Sequence, residues 1–148
     1  MKLVLQRVSK ATVFINNQLY SKIQKGILVL IGIEDNDSES ELDYYIKKIL
    51  NMRIFNDAKG QMNNSLLDIE GEILVVSQFT LLANTKKGNR PSYIQAADPK
   101  LARSIYNQFI AKLKGYEINV EKGRFGAHMK LDFINDGPVT ILLGNNDG

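Results

Sequence analysis

The stretch Ile73-Leu74-Val75-Val76-Ser77-Gln78-Phe79-Thr80-Leu81 decides how the rest of the chain is read. It opens as an unbroken β-branched and aliphatic run, which predicts a strand over 72–81 buried on both faces. It then changes to a hydroxyl, an amide, an aromatic ring and a second hydroxyl. Buried polar groups need hydrogen-bond partners. Ser77, Gln78 and Thr80 therefore read as a polar cluster at the end of a core strand, a place where sites are built. Taken alone, the stretch is read more plainly as a strand end whose hydroxyls satisfy neighbouring backbone.

Downstream, residues 84–93 form a polar loop carrying Lys86, Lys87 and Arg90. It is either an ordinary solvated loop or a phosphate-contacting rim beside the strand end. Asp98-Pro99 is a helix start, an N-cap followed by proline at the first helical position. Leu101, Ile105, Phe109 and Leu113 make that helix's apolar stripe, and Gly115 ends it. Strands are expected over 116–120, 129–134 and 139–143, with a turn over 122–126. Asn135-Asp136-Gly137-Pro138 interrupts the last pair, and the polar residues 144–148 are expected to fray.

Upstream, residues 3–9 and 11–15 read as strand, Asn16-Asn17 as a tight hairpin turn and 18–24 as the return strand. Residues 27–33 read as a central strand. Arg7 is then a charge in a covered strand. Either its stem packs while its head reaches water, or it is a fixed guanidinium holding another segment. Ser38 and Glu41 have capping-box spacing ahead of a helix that buries Leu42, Tyr45, Ile46, Ile49 and Leu50, with Lys47 and Lys48 outward. Many strands with two main helices indicate an α+β fold, largely antiparallel.

A length of 148 residues suits a single domain, 1–148, with a real core. There are no cysteines and one histidine, His128, which excludes disulfides, thiolate metal sites and His-rich metal sites. A Ser-His-Asp triad would have to use His128. The expectation is no metal and no cofactor. No signal peptide and no bilayer-length apolar run is read, so a cytoplasmic protein without membrane partners is expected. The net charge of +3 permits a polyanionic partner.

Several motifs occur together in order. They are Gln6-Arg7-Val8, Met52-Arg53-Ile54-Phe55, Ser77-Gln78-Phe79-Thr80, Gly88-Asn89-Arg90-Pro91-Ser92, Gly123-Arg124-Phe125-Gly126-Ala127 and Asn135-Asp136-Gly137-Pro138-Val139-Thr140. The combination, spread over essentially the whole chain, closely resembles the D-aminoacyl-tRNA deacylase family. The resemblance implies a homodimer of barrel-like subunits that removes D-amino acids, and glycine, from tRNA. It implies a cis Gly137-Pro138 dipeptide inserted into the partner's active site as a chiral wall, whereas composition alone predicts a trans bond. It further implies a catalytic floor of Ser77, Gln78, Phe79 and Thr80, with Arg7 holding the cross-subunit loop and Phe125 and Met129 supporting the pocket.

The ester joining an amino acid to ribose is already activated, so donors placed where carbonyl charge develops help most. The Phe79 and Thr80 amides are the candidates, with water oriented by the ribose 2′-hydroxyl. Thr80 as a nucleophile is the competing mechanism and needs a base. Three rival readings are a non-catalytic RNA-binding module using Lys86, Lys87 and Arg90, a general esterase, and a structural dimerisation protein.

Overall fold

The computed structural model describes residues 1–144; of the tail expected to fray, residues 145–148 lie outside that range. The architecture grows from one long strand, β1 (Lys2–Ile15), whose Leu3, Leu5, Ala11, Val13 and Ile15 are buried. Asn16 and Asn17 take φ of 52° and 61°, left-handed values that suit asparagine in a tight hairpin. They return the chain as β2 (Gln18–Ile23), and β3 (Gly26–Gly32) follows. Both strands lie antiparallel along one edge of β1. β3 covers Lys2 to Val8, and β2 covers Ala11 to Ile15.

Helix α1 (Leu42–Asn51) buries Leu42, Tyr45, Ile46, Ile49 and Leu50, the expected stripe. The capping box does not form. Ser38 instead precedes a short 3-10 turn (Glu39–Glu41), makes no capping bond and pairs its hydroxyl with Ser40. The tighter turn places Glu41, not Ser38, immediately before α1. A small hairpin, β4 (Phe55–Asn56) and β5 (Met62–Asn64), follows. Asp57 holds it, accepting from the Lys59 and Gln61 amides at 2.8 and 3.0 Å.

β6 (Glu72–Ser77) is the strand of the opening stretch. Ile73 and Val75 belong to one buried cluster, Leu74 and Val76 to another. Each such side chain contributes about 1.5–3 kcal/mol on burial. Helix α2 (Pro99–Leu113) begins as expected, with Asp98 accepting from the Lys100 and Leu101 amides. β7 is only Val120–Lys122, so the strand expected over 116–120 is mostly turn, closed by Tyr116 N–H to Leu113 O and Ile118 N–H to Tyr116 O. β8 (Lys130–Gly144) runs antiparallel along the other edge of β1.

The path of the sheet is β2-β1-β3-β6-β7, with β8 paired to β1. β6 is parallel to both β3 and β7, because α1 and α2 lie in the crossovers that reach it. The ends of the path then meet: Ser21 of β2 donates to Lys122 O of β7 at 2.8 Å. The sheet is thus nearly closed into a barrel-like α+β fold, with the two helices sharing a core with one face of β1, β3 and β6. Close approach is needed at Gly26, where a Cβ would lie 1.8 Å from Glu72 O.

Tyr106 of α2 pins the end of β6. Its buried hydroxyl lies 3.0 Å from Val75 O and 3.2 Å from Gly123 O. Burial, reinforced by Tyr20, pushes that hydroxyl's pKa above its ordinary value, so it remains a neutral donor. Tyr106→Phe is expected to cost about 1 kcal/mol in denaturant unfolding, the usual net worth of one hydrogen bond. Amide exchange should quicken first around Gly123.

Candidate active site

The strand expected to reach Leu81 stops at Ser77, and the reason is local. The Gln78 amide makes the last bond to β3, donating to Ile31 O at 2.8 Å. The chain then tightens into a 3-10 turn over Phe79–Leu82. Leu81 N–H returns to Gln78 O at 3.3 Å and Ala83 N–H to Thr80 O at 3.1 Å. The Phe79 and Thr80 amides occupy the first two positions of the turn, where no carbonyl within it can bond them. A continued strand would have consumed one of them in the ladder. The Thr80 hydroxyl donates to Gln78 Oε1 at 2.6 Å, an amide oxygen that cannot take its proton.

A cavity of about 530 Å³ opens beside this turn. Ser77, Gln78 and Phe79 form one side, and Phe125, Met129 and His128 line it as well. The first turn of α2 closes another side through Pro99 and Ala102. Its size falls within the usual range for small-molecule sites, and its lining is mostly apolar with a few polar groups. Phe125 is held from behind by the Tyr106 ring at 5.8 Å and by the Arg103 guanidinium, 5.2 Å from its centroid. Met129 rests where Gly123 has no side chain, since a Cβ there would lie 2.6 Å from its sulfur.

The remaining expected residues lie elsewhere. Lys86, Lys87 and Arg90 are exposed on their loop and do not line the cavity. Arg7 is buried and is the fixed guanidinium of the two readings. Its Nε donates to Asp136 O at 2.9 Å, and its Nη1 to Ile54 O at 2.8 Å and Asn56 Oδ1 at 3.2 Å. It thus holds the segment just before Gly137-Pro138 of its own chain. That segment is an excursion in β8: Gln6 pairs with Thr140 and Val8 with Asn135, so residues 136–139 stand opposite Arg7 alone. The Gly137–Pro138 bond is cis, and both residues are exposed.

Arg7 pairs with Ile27, whereas Ser77 pairs with Ile31. The four-residue offset along β3 is roughly 13 Å. Gly137 and Pro138 do not line the cavity of their own chain. The cavity residues that motif reasoning missed are chiefly Ala96 and Ala97, small groups with no periodicity to betray them, while His128, the one histidine of the sequence, lines the cavity as well. Among the described residues no cluster of acidic, histidine or cysteine side chains could hold a metal ion. No described helix is long and apolar enough to cross a membrane.

A family model for D-Tyr-tRNA(Tyr) deacylase matches residues 4–144. The D-aminoacyl-tRNA deacylase of Thermosipho melanesiensis is 54% identical over 144 residues, covering 97% of this chain and 96% of its own. That of Azobacteroides pseudotrichonymphae is 53% identical, covering 99% of each. A solved structure described as a c-Myc DNA unwinding element binding protein superposes with a TM-score of 0.92 at 43% identity, over 97% of this chain and 98% of that one. A probable eukaryotic D-amino acid tRNA deacylase shares the fold, with a TM-score of 0.82 at 22% identity, over 96% and 97% of the two chains. The chain therefore belongs to the D-Tyr-tRNA(Tyr) deacylase family and is a hydrolase of D-aminoacyl-tRNA.

Proposed function

We propose that residues 1–148 act as a single domain which, as a homodimer in the cytoplasm, clears both D-amino acids and mischarged glycine from tRNA. The observation that carries this reading is the pair of amides, Phe79 and Thr80, left without a carbonyl partner at the start of the turn; Phe79 lines the cavity, and Thr80, next in the chain, does not. In this reading they are the donors for the carbonyl oxygen that gains charge on attack, and one such donor is worth about 3–4 kcal/mol in other enzymes. Ser77 and Gln78 shape the floor, Phe125 and Met129 the walls. Lys86, Lys87 and Arg90 contact phosphate from their loop.

Selectivity in this reading comes from a second copy. L-aminoacyl-tRNA is abundant, and contacts that merely attract a D side chain discriminate too little across many amino acids. A backbone wall that clashes with the L side chain discriminates by exclusion. Gly137 and Pro138 are exposed and lie away from their own cavity, which favours service to a partner's. The same strand carries Ile134 and Leu142, 50% and 67% exposed, an apolar supplement suited to a subunit contact. Glycine has no side chain to reject and passes the same filter.

Deacylation of D-Tyr-tRNA, L-Tyr-tRNA and Gly-tRNA measured side by side is the direct test. The expected order is rapid loss of the D-Tyr and Gly esters with L-Tyr-tRNA spared. Hydrolysis of L-Tyr-tRNA at a comparable rate would remove the wall, and sparing of Gly-tRNA would confine the enzyme to D-esters.

A further inference from the structure

We propose that Tyr93, Ile94 and the outer face of Phe79 form a shelf on which the unpaired terminal bases of the substrate RNA stack. The inference rests on the placement of the ester at Ser77–Thr80 argued above. Phe79 and Tyr93 meet edge to face, with centroids 5.0 Å apart and planes at 71°. That arrangement leaves ring faces open, and Phe79 remains 58% exposed although it borders the cavity. Ile94, next in the chain, is 80% exposed. Single exposed apolar residues are ordinary. Here they adjoin one another and the cavity mouth, because Ala96, a cavity residue, donates to Tyr93 O at 3.0 Å.

The shelf is built in advance. Asn84 and Ser92 exchange both backbone hydrogen bonds, at 2.8 and 2.9 Å, and clamp the base of the loop. Little ordering remains to be done on binding. Charge identifies the occupant: residues 84–94 carry Lys86, Lys87 and Arg90 and no acid. Aromatic rings beside a basic stripe suit single-stranded nucleic acid, whose bases stack without regard to sequence. The nucleotide bearing the ester must leave the cavity past Phe79, so its base and the next arrive at these side chains.

The test is binding of uncharged tRNA together with single-turnover deacylation of D-Tyr-tRNA, each with a normal 3′ end or with its last two nucleotides abasic. Tyr93→Ala is expected to weaken binding of normal tRNA about tenfold, within the range measured for loss of one base–aromatic stack. Tyr93→Phe should bind within about twofold of the parent, since stacking uses the ring and not the hydroxyl. The cleavage rate at saturation should be unchanged in both. The abasic tRNA should bind parent and Tyr93→Ala equally. An equal loss on both tRNAs overturns the shelf, as does a change in sedimentation, which would make the patch a subunit contact. A parent enzyme that binds tRNA with this pattern but cleaves nothing would refute the placement of the ester and leave the shelf standing.

Discussion

Removing the 2′-hydroxyl from the terminal ribose of D-Tyr-tRNA is expected to slow deacylation about a hundredfold to a thousandfold, whereas Thr80→Ala slows it less than about tenfold. A threonine nucleophile requires a base within hydrogen-bond reach. The acceptor of the Thr80 hydroxyl is the Gln78 amide oxygen, which stays neutral and takes no proton. His128 lines the cavity, but no hydrogen bond ties it to Thr80 among the described residues. What the turn supplies is backbone: two amides made available because the ladder ends at Ser77. Electrostatic donors of this kind stabilise charge yet do not orient water, and the ribose hydroxyl next to the ester can. Thr80→Ala leaves both amides in place. Single-turnover rates of the two enzymes on ribose- and deoxyribose-terminated substrates separate the mechanisms. A loss above a thousandfold for Thr80→Ala with the deoxy substrate cleaved normally would establish the side chain as nucleophile.

The long elements were legible because burial imposes a period. β1, α1 and α2 each carry their apolar residues at the spacing of the structure they adopt, and Asp98-Pro99 states where α2 begins. The opening run was legible as a strand for its first part only. Nothing in its composition distinguishes Gln78-Phe79-Thr80 in a ladder from the same residues in a 3-10 turn. The choice is made by β3, whose last acceptor is Ile31 O and whose strand ends at Gly32. Tertiary pairing also decided the short elements: Val120–Lys122 is strand only where it meets β6. Of the candidate site, the polar cluster at Ser77 and Gln78 was read from the strand end itself, whereas Phe125 and Met129 were named only through family motifs; all four line one cavity. Its walls come from Phe125 and Met129 and from Ala96 and Ala97, the last two held beside the end of β3 by Ala97 N–H to Ile33 O at 2.9 Å.

Arg7→Met should uncouple chiral rejection from catalysis, allowing L-Tyr-tRNA to be cleaved at least about tenfold faster while the D-Tyr rate is held, and should cost roughly 2–4 kcal/mol of stability. The magnitude follows from what the guanidinium does. Its ion pair with Asp136 is long, 3.8 Å, and the Asp136 side chain is 56% exposed, so that term is worth little. The bonds to Ile54 O and Asp136 O, at 2.8 and 2.9 Å, do the holding. Ile54 is itself buried, so methionine fills the stem's volume and leaves that carbonyl without its donor. The excursion over 136–139 then loses the tether that sets where Gly137 and Pro138 stand. Arg7→Lys keeps the charge but not the fork that reaches two carbonyls, so it should restore stability in part and rejection hardly at all. Rates are compared below the unfolding transition of each variant, which removes the stability loss from the comparison. A folded Arg7→Met enzyme that still spares L-Tyr-tRNA would show that the partner's cavity, not this tether, positions the wall.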